Sequence, residues 1–151
     1  MLCREHGQQL STLAAQTTDF GFWGVIKEVS VDDEGLTEFH NTYFDFPLYR
    51  DVALETYAAF GNKSVMTGMT WNPLRIYRGF KEMNKRLKEK NLEGNMKGEG
   101  AIKGGVLVLN AEGDVVHAME EITGSPLEME EIQAAMEALR QAVPEPVKQE
   151  F

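Results

Sequence analysis

A hairpin in the last third of the chain constrains its fold more than any other feature. Val106-Leu107-Val108-Leu109 and Val115-Val116-His117-Ala118 are β-branched, apolar runs, and Asn110-Ala111-Glu112-Gly113-Asp114 between them carries the residues of a tight turn. Strands joined this way run antiparallel. Upstream, short apolar runs alternate with amphipathic segments, as strands linked by helical crossovers do. Both connection types in one chain predict an α/β fold, a sheet of mixed direction flanked by helices.

The remaining elements follow from local signals. Leu2, Leu10, Leu13 and Ala14 recur at helical spacing between Cys3 and about Thr17. Phe20 to Ile26, aromatic and β-branched, reads as a buried strand ending at Lys27. Asp32 and Asp33 offer cap oxygens to a helix with Leu36, Phe39 and Tyr43 along one face. Pro47 to Arg50 is a short strand, and Val52 to Phe60 a helix stopped by Gly61 and Asn62. Asn72-Pro73 starts another helix, Asn as the cap and Pro at the first helical position. Leu74, Tyr77, Phe80, Met83 and Leu87 are expected to form its apolar face as far as Lys90. Gly94, Gly98, Gly100, Gly104 and Gly105 make a loop ahead of the hairpin. A final helix from about Glu128 to Ala142 places Met129, Ile132, Ala135, Met136 and Leu139 inward, and Pro144 and Pro146 end it. The expected division is one domain over residues 1–143 with a frayed tail at 144–151, without internal repeats.

Length and charge bound the function. A chain of 151 residues can bury one substantial core. Its net charge of −9 argues against nucleic acid, whose phosphates demand clustered Lys and Arg. No apolar run approaches the roughly 20 residues of a membrane-spanning helix, and no secretory segment precedes the domain. Because helical spacing is already under way at Leu2, the chain is expected to begin inside structure. Cytosol and an organelle (plastid or mitochondrion, after loss of a transit peptide) both stay open as compartments.

A single cysteine, Cys3, excludes an internal disulfide framework. Three readings stay open: a buried thiol, a reactive one, or half of an intermolecular pair. At a helix N-terminus beside Arg4, a thiolate would gain from the helix dipole and a nearby cation, both of which lower a thiol's pKa. Free cysteines are nevertheless more often simply packed. His6, three residues after Cys3, could share its face, but two ligands make no zinc site, and no metal or cofactor is expected. His40 and His117 read as surface or packing residues, and Glu120-Glu121 and Glu128 to Glu131 as solvated acidic faces. Gly98 and Gly100 precede a strand and not a helix, so a phosphate-binding loop fails on context. Lys81, Lys85, Arg86, Lys88 and Lys90 make one helix basic within an acidic protein. That helix is either a solvated face or a docking surface for an acidic partner or a membrane.

Several segments, in order, resemble the peroxiredoxin-like 2 family of AhpC/TSA antioxidant-domain proteins. Leu2-Cys3-Arg4-Glu5-His6 resembles the end of its Cys-x-x-Cys-Arg motif at a helix start. Val25-Ile26-Lys27-Glu28 and Phe46-Pro47-Leu48-Tyr49-Arg50-Asp51 resemble the strands that follow. Asn91-Leu92-Glu93-Gly94 and Gly98-Glu99-Gly100-Ala101-Ile102-Lys103-Gly104-Gly105-Val106 resemble its glycine-rich approach to the hairpin.

The resemblance implies a thioredoxin-like fold and thiol-dependent reduction of peroxides or related oxidised substrates, with Cys3 and Arg4 as site residues. Cys3 matches the second cysteine of the motif, and the first would lie before residue 1. Turnover through Cys3 alone would need glutathione or a thioredoxin-like partner thiol. Gly104-Gly105 stands where thioredoxins proper carry a cis-proline, so thioredoxin-type substrate binding is not implied. The family's central strand runs into the cysteine motif, and this chain has no residues for it, so an N-terminally truncated sheet is expected, or one completed by another chain. The rival expectation is a non-catalytic accessory or scaffold subunit. It would dock through the open sheet, the Phe60 to Tyr77 stretch, or the basic helix at Lys81, Lys85, Arg86 and Lys88.

Overall fold

The computed structural model describes residues 2–27, 32–61, 63–64, 72–92 and 102–142. The glycine passage from Gly94 to Gly100, most of the aromatic stretch before Tyr77 and the tail from Pro144 lie outside the described residues. The elements are α1 (Leu2–Ala15), β1 (Gly24–Ile26), α2 (Asp33–Thr42), β2 (Leu48–Arg50), α3 (Glu55–Ala58), α4 (Pro73–Glu89), β3 (Gly105–Leu109), β4 (Val115–Glu120) and α5 (Met129–Ala142). This is the α/β order read from the sequence.

Helix starts are set by local chemistry. The Asp32 side chain accepts from the Gly35 amide at the head of α2, and Asn72 accepts from Leu74 and Arg75 at the head of α4. Proline follows Asn72 where its missing N–H costs nothing. Asn110 Oδ1 accepts from the Glu112 and Asp114 amides, and Gly113 takes φ +90, which closes the hairpin turn.

The described strands form two small sheets. β1 and β2 pair in parallel, Val25 opposite Tyr49, and β3 and β4 pair antiparallel, Leu107 opposite Ala118. Gly24 and Ile26 bond across to the β2 chain, so the peptide groups of Val25 face away from it. The Tyr57 hydroxyl donates to the Val25 carbonyl at 3.4 Å on that far edge. Strand β1 is shorter than expected, because Phe20 to Trp23 lie outside any ladder. Phe20 and Phe22 instead pack on the main core, and Phe22 contacts Phe46 at 5.6 Å between ring centroids.

That core brings together Leu13 of α1, Val108 and Met119 of the hairpin, Leu127, and Ile132 and Met136 of α5. The expected inner face of α5 is therefore correct. A second cluster joins Met83 and Leu87 of α4 to Leu92 and Tyr43. Here the expected apolar face of α4 needs correction, since Leu74, Tyr77 and Phe80 are exposed. At 100° per residue Leu74 lies two and a half turns from Met83, on the opposite side of the helix. Helix α3 is also a single turn where a helix from Val52 to Phe60 was expected, with Leu54 at its head in the left-handed region at φ 59.

Candidate functional site

Cys3 stands in the first turn of α1 and is exposed. Its thiol pKa is nevertheless raised: the protein packed around the sulfur disfavours the thiolate, and the charge of Glu121 adds to that. The lowering expected from the helix terminus and Arg4 does not prevail. The Arg4 guanidinium reaches Glu38 instead, with Nη1 to Oε1 at 2.9 Å and Nη2 to Oε2 at 2.6 Å. It also lies over the Tyr43 ring, 5.2 Å from the centroid, so its role here is to join α1 to α2.

Three groups gather near Cys3: Glu121, read from the sequence as part of a solvated acidic face, His6, read as sharing the face of Cys3, and Tyr57, which the sequence did not single out. Glu121 follows β4, its amide donating to the Gly104 carbonyl. Its carboxylate lies 3.8 Å from His6 Nδ1, and His6 Nε2 is 3.0 Å from the Ser125 carbonyl oxygen. Tyr57 is the third, and its hydroxyl pKa is raised by burial first and then by the charges of Cys3, Asp51 and Glu121. The three titratable groups of Cys3, Tyr57 and Glu121 therefore share one electrostatic neighbourhood. Tyr57 is held there by its own short helix. Asp51 accepts from the Glu55 amide at 3.1 Å and the Thr56 amide at 2.7 Å, fixing the turn of α3.

Two residues after Cys3 lies the most deeply buried charge among the described residues. Glu5 has 0% of its surface exposed. Burial alone would raise its pKa, but Arg86 and Lys90 reverse this and hold the carboxyl below the ordinary range. Arg86 donates from Nε at 2.8 Å and from Nη2 at 3.1 Å, and Lys90 from Nζ at 2.7 Å. Arg86 Nη2 also donates to the Gly124 carbonyl at 2.8 Å. Arg86, grouped by the sequence with the docking lysines, is thus a structural residue that ties α4 to α1 and to the turn before α5. Lys85 and Lys88 are exposed on α4.

Chemically, the site offers a surface thiol, a tyrosine hydroxyl and a carboxylate–imidazole pair. Its raised pKa disfavours the thiolate, so the nucleophilicity of Cys3 grows with pH. Among the described residues no three His, Cys, Asp or Glu side chains come together as metal ligands would.

Comparison with known proteins adds the family context. The model of the AhpC/TSA antioxidant enzyme family matches residues 9–121, from within α1 to the residue after β4. The matched span begins after Cys3 and Arg4. Peroxiredoxin-like 2A of Xenopus laevis is 30% identical over 112 residues, covering 73% of this chain and 45% of that protein. The chain thus spans under half the length of this curated relative. No solved structure matches it.

Proposed function

Because the chain belongs to the AhpC/TSA antioxidant enzyme family, with the thioredoxin-like fold of its peroxiredoxin-like members, we propose that it reduces peroxides or related oxidised substrates through Cys3. The family match carries this reading, and the exposed thiol at the head of α1 supplies the group that would react. The Cys3 thiolate would attack the nearer oxygen of the peroxide, breaking the O–O bond. Sulfur is oxidised by two electrons to a sulfenic acid, and the other oxygen leaves as an alkoxide or hydroxide that takes up a proton. A reducing thiol, such as glutathione or a thioredoxin-like protein, would then form a mixed disulfide with loss of water. A second thiol would release Cys3 and leave as the other half of a disulfide. Tyr57 and Glu121 are coupled electrostatically to the thiol, and Tyr57 and the His6–Glu121 pair would be its proton donors for the leaving oxygen. Arg4 acts as a positioning residue through Glu38 and not as a direct activator.

The test is peroxide consumption with dithiothreitol as reductant, comparing the chain with Cys3→Ser. Loss of turnover in the variant supports the reading, and equal rates exclude Cys3. One observation favours a second reading: the raised thiol pKa is not that of a pre-activated nucleophile. On that reading the chain is an accessory or scaffold subunit that keeps the fold without the chemistry. It would use Lys81, Lys85 and Lys88 or the edge of β1 away from β2 to hold a partner. A wild-type protein that consumes no peroxide at any pH would favour it.

A further inference from the structure

Helix α4 buries one side and leaves a different, organised side uncovered. Met83 and Leu87 face inward with Arg86, while Leu74, Tyr77 and Phe80 are 67%, 66% and 48% exposed. Projected at 100° per residue, Tyr77, Asn84, Lys88, Lys81, Leu74 and Lys85 fall within about one third of the helix circumference, with Phe80 at its border. Along the axis this face is apolar over its first turns and cationic over its last. An open groove of about 430 Å³ runs between the two, lined by Tyr77, Phe80, Lys81, Asn84, Lys85 and Lys88.

We propose that this face of α4 docks on an anionic lipid bilayer surface, independently of any chemistry at Cys3. Charge complementarity is the first argument. The chain carries −9 overall, yet α4 holds six cations, Arg75, Arg78, Lys81, Lys85, Arg86 and Lys88, against Glu82 and Glu89. Only Arg86 among them is engaged inward, and Lys85 has Glu89 at 3.8 Å. Arg75, Arg78, Lys81 and Lys88 have no ion-pair partner among the described residues. An anionic surface is therefore attracted by this face and repelled by the rest, which orients the molecule.

The side-chain types decide between lipid and acidic protein. Protein interfaces are depleted in lysine and prefer arginine, whose planar fork grips a fixed carboxylate. The groove itself is lined with lysines on flexible stems, suited to laterally mobile headgroup phosphates. Exposed leucine, tyrosine and phenylalanine beside lysines form the usual composition of a helix seated at the headgroup level. The axial arrangement then sets a tilt: Leu74, Tyr77 and Phe80 enter the boundary between headgroups and acyl chains, while Lys81, Lys85 and Lys88 stay among the phosphates. No described helix is long and apolar enough to cross a membrane, so this binding is peripheral.

The experiment is co-sedimentation of the full chain with vesicles of phosphatidylcholine alone and of phosphatidylcholine mixed with phosphatidylserine. The chain should pellet with the mixed vesicles only, and added salt should release it. Lys81→Glu/Lys85→Glu/Lys88→Glu should weaken binding at least tenfold, and Tyr77→Ser/Phe80→Ser should weaken it severalfold with its salt dependence kept. All five positions are exposed, and unchanged circular dichroism shows that each variant is folded. Failure of the folded wild-type chain to pellet with mixed vesicles would overturn the proposal. Equal binding of the charge-reversed variant would do the same. Retention on immobilised polyglutamate without vesicle binding would overturn it in favour of an acidic protein partner.

Discussion

Replacing Arg86 by methionine should be the most damaging single change on the surface of α4. Met keeps the aliphatic stem but removes two of the three hydrogen bonds that Arg86 and Lys90 give the Glu5 carboxylate, at 2.8 and 3.1 Å, and the donor to the Gly124 carbonyl. Breaking a buried ion pair costs about 3–5 kcal/mol, because the orphaned charge stays desolvated. Arg86 is 26% exposed at its side chain and Lys90 remains, so the expected loss is near the low end, about 3 kcal/mol. With a urea slope of about 2 kcal/mol per molar, the midpoint should fall by about 1.5 M at pH 7. Lys85→Met is the control, since the Lys85–Glu89 side chains are 78% and 64% exposed, and it should stay within about 0.5 kcal/mol of wild type. The pH dependence adds a second check. The folded-state pKa of Glu5 lies below its ordinary value, so its contribution is fully present above that value and is lost as pH falls through the folded one. The gap between wild type and Arg86→Met should therefore narrow below pH about 4. Coincident midpoints at pH 7, or a gap that does not change with acid, would refute the assignment of Arg86 as the partner of Glu5.

Two further outcomes follow from the core and the thiol. Ile132 is 2% exposed at the centre of the main core, so Ile132→Ala should cost about 3 kcal/mol by urea denaturation, and a loss under 1 kcal/mol would contradict the packing described. Alkylation of Cys3 by iodoacetamide should rise with pH to a midpoint above that of an ordinary thiol, and Glu121→Gln should move the midpoint down by removing a negative neighbour; an unmoved midpoint in the variant would show that Glu121 does not act on Cys3.

The sequence is legible where the determining contacts are local. Asp32, Asn72-Pro73 and the Asn110 to Asp114 turn each satisfy their own backbone within a few residues, and the elements they bound fall where expected. The inner face of α5 is legible too, because one helix packed on one hairpin preserves the 3.6-residue period. Helix α4 is different. Its apolar residues span two faces, only one of which meets the protein, and composition alone does not say which.

The site is legible in part. Cys3 is visible as a lone thiol, but its pKa is decided by the fold, through packing and through Glu121 more than a hundred positions along the chain. Glu5 reads as an ordinary acidic residue in the first turn of a helix. Nothing near it in sequence announces a fully buried carboxylate, because its partners Arg86 and Lys90 arrive with α4. Tyr57 likewise comes beside Cys3 only once Asp51 has wound α3 against the edge of β1. The resemblance carried by ordered segments reached the family, whereas the role of Arg4 required its pairing with Glu38 to be seen.

Reaction of Cys3 with peroxide is measured most directly by chemical trapping of the oxidised sulfur. The chain is exposed to hydrogen peroxide in the presence of dimedone, which adds to sulfenic acids but not to thiols, and the peptide holding Cys3 is analysed by mass spectrometry across pH. A dimedone adduct is expected on Cys3, with a yield that rises with pH in step with the alkylation rate and that disappears in Cys3→Ser. Peroxide consumed with Cys3 still a free thiol, or no adduct at any pH, would contradict that reaction.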